Sequence, residues 1–232
     1  MSSAEDSIVK PRSFKDFKRK KVVYFPADSS SHILGDVLKR KAAKVLNLGF
    51  GQVYLLKDKV VLYQSVGAPA AVLSLEGLIA SGAKEIILLG FCGSLNHEYP
   101  MNSVVSISTA FSEEGTSKHY FPPKKYFKPS TALKNKIEKN LCTHHLIFLE
   151  GPLVSTDAPY RETKAWLEQK QRKGIDLVDM ETSAVFSLAE FRNIESAALM
   201  IVSDELWTGK WKKGFSDPGL DEKIEQYFLP FL

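Results

Sequence analysis

Residues 66–95, VGAPAAVLSLEGLIASGAKEIILLGFCGSL, contain the clearest structural pattern in the chain. Pro69 fits the first turn of a helix, apolar residues recur at helical spacing through Ile79, and Gly82 fits the stop. The run EIILL at 85–89 is continuously apolar, as expected for a strand that is buried on both faces. We therefore predict a helix, a central strand that ends at Leu89, and a glycine-rich turn over Gly90–Gly93.

Helix-like and strand-like segments alternate on both sides of this unit. This alternation predicts an α/β fold, a three-layer α/β/α sandwich around a mixed, largely parallel central sheet. A hairpin is expected across Lys57-Asp58, and Ser29–Ser31 are candidate caps for the first helix. The predicted strands are 21–25, 53–56, 59–64, 85–89, 104–108, 145–149, 175–180 and 196–202; the predicted helices follow Ser31 and Pro69 and cover 131–141, 161–172, 182–192 and 221–228.

Composition limits the classes of protein to consider. The chain has 232 residues and a formal net charge of +4, and we expect a flexible basic arm at 1–20 followed by a single domain at 21–232. Two cysteines, Cys92 and Cys142, exclude a disulfide framework, and no metal-binding spacing occurs. No signal peptide or apolar run of about 20 residues is visible. We therefore expect a cytoplasmic protein with no membrane, nucleic-acid or metal partner.

Polar and glycine-rich segments follow five of the predicted strands. In open α/β sheets, ligands bind beyond the carboxyl ends of the strands. That rule directs attention to segments 26–31, 90–96, 155–160, 179–181 and 203–205. Neither a P-loop nor a Gly-x-Gly-x-x-Gly sequence is present, so the common phosphate-binding signatures of nucleotide-binding proteins are missing.

Several of these segments together resemble one family. The stretch 66–95 resembles the helix, strand and glycine-rich turn of the nucleoside phosphorylase superfamily, which includes purine nucleoside phosphorylases, uridine phosphorylases and nucleosidases. EEGTSKHYFPP (113–123) and STDAPYRET (155–163) resemble one branch of it. VDMETSAVF (178–186) is similar to its Glu-Met-Glu signature and VSDEL (202–206) to its Ser-Asp motif. The resemblance implies cleavage of the N-glycosidic bond of a nucleoside by a homo-oligomer: a dimer, trimer or hexamer.

Asp204 is the candidate catalytic residue. A Ser-Asp pair after a buried strand often only caps a helix. By the resemblance, however, Asp204 donates a proton to N7 of a departing purine, and Ser203 orients it and contacts the base. General-acid catalysis of this kind contributes about 10²–10⁴-fold. The matching aspartate is typical of purine enzymes, so the expected substrate is a purine nucleoside.

Glu181 and Met180 are the candidate ribose-binding residues. Acidic residues near a helix N-terminus can simply stabilise the helix dipole. The resemblance instead implies that Glu181 accepts hydrogen bonds from two ribose hydroxyls, beside Met180 on the sugar face. Asp179 departs from the glutamate that is common in the family. Because its side chain is one methylene shorter, either a sugar contact or a helix-capping role remains open.

The candidate base-binding residues come from three segments. By the resemblance, Cys92 and Gly93 of the glycine-rich turn and Val178 before the Glu-Met-Glu-like signature lie against the base. Tyr160 is placed where the family stacks an aromatic ring, and Asp157 is placed to contact a purine edge. If the resemblance is set aside, the residues alone are also consistent with Tyr160 as an ordinary half-buried tyrosine and with Asp157 in an Asx-turn before Pro159.

The acceptor of the sugar remains open between phosphate and water. Phosphorylases of the family carry an early Gly-Asp-Pro motif, an arginine and a hydroxyl side chain, where this chain has Ala27-Asp28-Ser29, Leu88 and Phe91. The candidate substitutes, for phosphate binding or water activation, are Asp28, Ser29, Arg161 and His119, the last reaching in from a neighbouring subunit.

The branch motifs favour phosphorolysis to free base and ribose 1-phosphate, with phosphate as co-substrate and no cofactor. The missing phosphate ligands favour a hydrolytic nucleosidase or a non-catalytic nucleoside-binding protein.

Overall fold

The computed structural model describes residues 7–14 and 20–232 and shows an α/β fold with a mixed central sheet. This confirms the predicted fold class. The strands are β1 (Lys21–Phe25), β2 (Lys44–Asn47), β3 (Gln52–Leu55), β4 (Val60–Tyr63), β5 (Glu85–Ser94), β6 (Val104–Ser112), β7 (Tyr126–Phe127), β8 (Leu149–Ser155), β9 (Leu177–Asp179), β10 (Glu195–Glu205) and β11 (Lys212–Lys213). The α-helices are α1 (Ile33–Lys41), α2 (Ala68–Ala80), α3 (Thr131–Thr143), α4 (Lys164–Arg172), α5 (Thr182–Phe191) and α6 (Pro218–Lys223).

The sheet curls so that five of its strands close into a ring. Its order is β11-β10-β6-β8-β9-β5-β1-β4-β3-β2, and β10 also pairs with β5. The two longest pairings, β5 with β10 and β6 with β8, are parallel, whereas β9 runs antiparallel to β5. This closure brings the ends of β5, β9 and β10 together, and the candidate site lies there.

Helices cover both faces of the sheet. Alternate residues of β5 enter different cores: Ile86 and Leu88 pack with α2 and α5, whereas Ile87 and Leu89 pack with α1, α3 and α6. A strand that buries both faces needs apolar residues at every position, which explains why EIILL is continuous rather than alternating. The three-layer arrangement follows directly from this pattern.

The glycine-rich turn predicted after Leu89 is wrong. β5 continues without a break through Gly90 and Gly93 to Ser94, because β10 pairs with it along its whole length. At Gly93 a Cβ atom would lie 2.8 Å from Leu206 Cδ1, closer than real Cβ contacts allow. Gly93 therefore permits close approach of a neighbouring strand instead of a turn.

Two other local predictions need correction. The strand expected at 145–149 begins only at Leu149 and runs to Ser155, with Pro152 opposite an irregularity in β6, where a proline is tolerated. Ser29–Ser31 do not cap α1. Instead, the carboxylate of Asp28 accepts the N–H groups of Leu34 (3.3 Å) and Gly35 (2.9 Å) in the first turn of the helix.

Boundaries elsewhere agree or shift by a few residues. The predicted hairpin is present as β3 and β4, whose strands are antiparallel. The helix expected from Arg161 starts at Lys164, after a 3₁₀ turn over Pro159–Arg161. The strands β7 and β11 have two residues each, too few to give a sequence pattern, and they were not predicted. β2 was also not predicted, because Ala42 and Val45 continue the apolar spacing of the first helix, which in the structure ends at Lys41.

The predicted basic arm is described only in part. Lys15, Lys18 and Arg19 lie outside the described residues. The backbone N–H of Phe14 donates to Ser81 Oγ at 2.7 Å, and the Phe14 ring lies close to Gly77 of α2. The division into an arm at 1–20 and a domain at 21–232 stays a prediction. Over residues 7–14 and 20–232, no helix is long and apolar enough to cross a membrane.

Candidate active site

A cleft of about 490 Å³ opens where the ends of β1, β5, β9 and β10 meet. This is a usual size and position for a small-molecule site in an α/β protein. Its lining combines apolar residues with five carboxylates. The carboxylates are Asp28, Glu162, Asp179, Glu181 and Asp204; the other lining residues are Pro26, Ala27, Val66, Phe91, Cys92, Gly93, Pro159, Tyr160, Val178, Met180, Ser203, Leu206, Trp211 and Phe215.

Strand register places three of these residues side by side. Val178 of β9 pairs with Gly93 of β5, and Gly93 pairs with Asp204 of β10. A Cβ atom on Gly93 would lie 3.1 Å from Val178 Cγ1 and 3.2 Å from Asp204 Oδ2. A side chain at position 93 would therefore narrow this part of the cleft beside the Asp204 carboxyl group.

Asp204 has hydrogen bonds to both of its carboxylate oxygens. The Ser203 hydroxyl donates to Oδ1 at 2.8 Å, and the Trp211 indole N–H donates to Oδ2 at 2.8 Å. Burial raises the pKa of Asp204, and these two hydrogen bonds offset part of that effect. The carboxyl group is thus held in one orientation while its affinity for a proton is increased.

Glu181 is buried between the start of α5 and the start of α2. Its Oε1 accepts the backbone N–H of Gly67, the N-cap of α2, at 2.6 Å. Burial, followed by the negative charge of Asp179, raises the pKa of Glu181 to about 8. Met180 precedes it and also lines the cleft.

Asp179 forms a structural network. Its carboxylate accepts the Ser155 hydroxyl at 2.6 Å and both the N–H (2.9 Å) and the hydroxyl (2.5 Å) of Thr182. The contacts to Thr182 satisfy the first turn of α5, so Asp179 does have the helix-capping contact that the sequence left open. Burial raises its pKa, although these hydrogen bonds act in the opposite direction.

Glu162 is a lining carboxylate that the sequence did not indicate. It follows the 3₁₀ turn Pro159–Arg161. Burial, together with the nearby charge of Asp204, raises its pKa to about 7. Trp211 and Phe215 were also missed; their rings pack edge to face, with centroids 6.3 Å apart. The signal for Trp211 was an aromatic residue within the polar stretch WTGKWKK, at 207–213.

The structure brings together nine of the predicted site residues and leaves four outside. Those lining the cleft are Asp28, Cys92, Gly93, Tyr160, Val178, Met180, Glu181, Ser203 and Asp204. The buried Cys92 thiol has its pKa raised by burial and by the charges of Asp179 and Asp204. Tyr160 is 92% exposed at the mouth of the cleft, so nothing in the described chain fixes its ring.

The four others are Ser29, Asp157, Arg161 and His119. Asp157 is exposed, and its carboxylate accepts the Gly115 N–H at 2.7 Å. Arg161 and His119 are exposed on 3₁₀ turns. Ser29 is buried, and its hydroxyl has no hydrogen-bond partner among the described residues. None of the four lines the cleft as it is formed by the described part of this chain.

Asp28 lines the cleft but already has four hydrogen-bond donors. Besides the N–H groups of Leu34 and Gly35, it accepts the Ser29 N–H at 2.8 Å and the Tyr63 hydroxyl at 2.7 Å. These contacts fix Asp28 against the first turn of α1 and against β4. Arg and Lys do not occur among the lining residues contributed by the described chain.

Comparison with known proteins identifies the family. The family model of the phosphorylase superfamily matches residues 38–217, which is more than half of the chain. The chain belongs to the phosphorylase superfamily. This membership confirms the resemblance inferred from the sequence and the expected class of enzyme, a nucleoside phosphorylase or a related hydrolase of N-glycosidic bonds.

Relatives in sequence and in structure agree with this assignment. A guanosine phosphorylase of Halorubrum lacusprofundi is 28% identical over 193 residues, covering 82% of this chain and 77% of that protein. A DeoD-type purine nucleoside phosphorylase of Bacillus cytotoxicus is 26% identical over 165 residues, covering 70% of each chain.

Two solved structures share the fold. The purine nucleoside phosphorylase of Toxoplasma gondii in complex with immucillin-H has a TM-score of 0.75 and 20% identity, covering 97% of this chain and 94% of that one. The AMP nucleosidase of Bacteroides thetaiotaomicron has a TM-score of 0.72 and 18% identity, covering 92% and 89%.

Proposed function

We propose that this phosphorylase-superfamily chain cleaves the N-glycosidic bond of a purine nucleoside and transfers the ribosyl group to phosphate. The observation that carries the proposal is the position of Asp204, a carboxyl group with a raised pKa that is hydrogen-bonded by Ser203 and Trp211 at one end of the cleft. The guanosine and purine nucleoside phosphorylases among the relatives support phosphate as the acceptor.

Asp204 acts as the general acid in this proposal. As the bond from C1′ of the sugar to N9 breaks, electrons move onto the purine, and the Asp204 proton passes to N7. The base then leaves as a neutral molecule, and Asp204 remains as a carboxylate. A raised pKa increases the fraction of Asp204 that carries this proton at a given pH, compared with an ordinary aspartate.

Glu181 binds the sugar. A carboxylate that accepts hydrogen bonds from the 2′ and 3′ hydroxyls fixes the ribose relative to Asp204, and Met180 lies beside it. The hydrogen bond from Gly67 holds the Glu181 side chain in place before the substrate arrives. The carboxylate that Asp204 becomes when it gives up its proton also stabilises the positive charge that develops on the ribosyl group.

The base binds between apolar residues beside Asp204. Val178, Gly93 and Cys92 provide one side, and Tyr160, Phe215 and Leu206 line the same space. A flat, uncharged ring system suits such a lining. The candidates outside the cleft, Ser29, Asp157, Arg161 and His119, have no part in the proposed mechanism within one chain.

Hydrolysis is the second candidate, and one observation favours it. The lining residues of the described chain include no Arg or Lys, which are the usual ligands of a phosphate dianion. With water as acceptor the product is free ribose, and no cation is needed. Phosphorolysis, in contrast, needs a cation to bind phosphate. We propose that a neighbouring subunit of a homo-oligomer supplies this cation.

One experiment tests both candidates. Purified protein is incubated with guanosine, inosine, adenosine and uridine, with and without phosphate, and the sugar product is identified. Ribose 1-phosphate that forms only with phosphate supports phosphorolysis, whereas free ribose in both conditions supports hydrolysis. Binding without turnover would show a non-catalytic nucleoside-binding protein instead.

The assigned acid has its own variant. Asp204→Asn keeps the shape of the side chain but has no acidic proton, so kcat/KM for purine nucleosides should fall by about 10²–10⁴-fold. Asp58→Asn is the matched control, because Asp58 is exposed on the hairpin between β3 and β4. Equal rates for Asp204→Asn and the wild type would refute the role of Asp204.

A further inference from the structure

The segment 113–117, EEGTS, belongs to a motif that has no role in the proposed mechanism. It follows β6, and none of its residues lines the cleft that the described part of the chain forms. Two adjacent carboxylates begin it. Glu113 contacts α4, where it accepts the Trp166 indole N–H at 2.8 Å. Glu114 contacts α5, the helix that starts directly after the proposed ribose ligand Glu181.

Glu114 is a buried carboxylate that accepts hydrogen bonds from several donors. Its neighbours in sequence supply four of them: the Ser112 hydroxyl, the Thr116 N–H, and the N–H and hydroxyl of Ser117. A further donor comes from α5, where the Ser183 hydroxyl donates to Glu114 Oε1 at 2.9 Å. Burial alone would raise the pKa of Glu114, but the hydrogen bonds from Ser117, Ser112 and Thr116 lower it below its usual value. The group that accepts the Ser183 hydroxyl is therefore an ionised carboxylate.

Ser183 lies in the first turn of α5, two residues after Glu181. The first N–H groups of a helix have no partner within the helix and need acceptors from outside it. The Ser183 N–H donates to Ser155 Oγ of β8 at 2.9 Å, while its hydroxyl donates to Glu114 beyond the end of β6. One buried serine thus connects the start of α5 to the ends of two neighbouring strands.

The position of this turn determines where the Glu181 side chain points. Glu181 is the N-cap of α5, and its backbone carbonyl accepts the Val185 N–H at 3.0 Å. A shift of the first turn therefore displaces the Glu181 carboxyl group as well. Misplacing a group that positions the substrate by about 1 Å can lower the rate by about 10²-fold.

We propose that Glu114 is a positioning residue for sugar binding, because through Ser183 it fixes the first turn of α5 and with it the direction of Glu181. This inference rests on the proposed function, since it takes Glu181 as the ligand of the 2′ and 3′ hydroxyls. Glu114 itself does not line the cleft in the described chain, so it acts on the substrate only through α5.

The test removes the link and compares two nucleosides. Ser183→Ala keeps the other four donors to Glu114, and kcat/KM is measured for guanosine and for 2′,3′-dideoxyguanosine, which has neither of the hydroxyls that Glu181 binds. We expect kcat/KM for guanosine to fall by about tenfold and that for the dideoxynucleoside by less than about twofold. The ratio of the two values then falls, whereas a general structural loss would lower both values equally and leave the ratio unchanged.

A double-mutant cycle gives a second readout, which needs guanosine alone. Glu181→Ala removes the side chain that the network positions. In that background, Ser183→Ala should lower kcat/KM by less than about twofold, because residues that act through one another are not additive.

The matched control is a second buried serine of α5. The Ser187 hydroxyl donates to the Ala184 carbonyl at 2.9 Å, within the helix, so Ser187→Ala makes the same chemical change and should keep both rates. If Ser183→Ala does not fold, the nearly isosteric Glu114→Gln tests the same link and should lower the ratio in the same direction. The inference is overturned by an unchanged ratio, by an equal loss in Ser187→Ala, or by a cycle in which the effects of Ser183→Ala and Glu181→Ala simply add.

A wild type that cleaves no nucleoside overturns the proposed function, and this inference with it. Turnover that depends on Asp204 but shows an unchanged ratio in Ser183→Ala and Glu114→Gln overturns this inference alone.

Discussion

Trp211→Phe should move the pH dependence of activity in a direction that the structure determines. The indole N–H donates to Asp204 Oδ2 at 2.8 Å, and a hydrogen bond to a carboxylate stabilises its ionised form. Phenylalanine keeps most of the apolar surface but has no donor. The pKa of Asp204 should therefore rise further above its usual range when the indole is removed.

The size of the shift follows from the hydrogen bond and its exposure. A hydrogen bond to a charged group contributes about 1.5–3 kcal/mol, and one pKa unit corresponds to about 1.4 kcal/mol. These values give about 1–2 units for a buried contact. Trp211 is 51% exposed, so water replaces part of the lost interaction, and we expect a rise of about 0.5–1 unit.

The assay is the pH profile of kcat/KM, which reports the ionisation of the free enzyme. The proposed mechanism needs protonated Asp204, so activity falls as pH rises through its pKa, and the alkaline limb should move to higher pH in Trp211→Phe. Because the pKa of Glu162 in the same cleft is also raised, to about 7, the comparison is repeated in Glu162→Gln. Trp207→Phe is the control, since Trp207 packs against His97, with ring centroids 6.2 Å apart. A limb that stays in place or moves to lower pH would refute the reasoning.

Three further predictions concern Gly93, Glu181 and the substrate. Gly93→Ala places a Cβ 2.8 Å from Leu206 Cδ1 and 3.2 Å from Asp204 Oδ2, so kcat should fall at least about tenfold in steady-state assays while far-UV circular dichroism stays native. Glu181→Gln should raise the free energy of unfolding by about 1–3 kcal/mol at pH 9 and by much less at pH 5, measured by urea denaturation. The pKa of Glu181 is raised from 4.5 to about 8, so its neutral form contributes stability below pH 4.5 that is lost as pH rises through 8. GMP should be cleaved at least about 100-fold less efficiently than guanosine, because its 5′-phosphate adds a second dianion beside the phosphate co-substrate, in a cleft whose lining in the described chain has no Arg or Lys; equal kcat/KM values would contradict this.

The parts of the fold that local sequence determines were predicted correctly. Pro69, the helical spacing after it and the apolar run at 85–89 specify α2 and the first half of β5 without information from elsewhere in the chain. The second half of β5 was mistaken for a turn because Gly90 and Gly93 are next to side chains from distant parts of the chain, and not because the backbone turns there. Gly93 is required by Leu206, Val178 and Asp204, and only the folded chain brings these next to it.

The misplaced β8 has a similar cause. His145–Leu149 has the composition of a strand, but Leu146 and Phe148 are apolar because they pack against the core between the sheet and helices α1, α3 and α6. The observed strand β8 contains Gly151 and Pro152, two residue types with low β-strand propensity. Pairing with β6 and β9 outweighs that propensity, and the irregularity opposite Pro152 accommodates the missing N–H.

Within the site, position after a strand was the informative signal. Asp204, Glu181 and Asp28 each follow a predicted strand closely, so the rule for α/β sheets selects them from a single sequence. Glu162 and Trp211 enter the cleft from a 3₁₀ turn and from the segment between β10 and β11. Their distance from Asp204 depends on how those segments fold back over the cleft, and the hydrophobic periodicity of the sequence does not predict this.

The relatives in sequence are phosphorylases, which must bind phosphate, yet this cleft is lined by carboxyl groups. The raised pKa values explain how both can hold. Five ionised carboxylates and no cation would repel a phosphate dianion strongly at these separations. Burial, however, favours the neutral form of Glu181, Glu162 and Asp204. A neutral carboxyl group donates a hydrogen bond, which phosphate accepts. Under the proposed function, phosphate binding should therefore weaken as the pH rises and these carboxyl groups ionise.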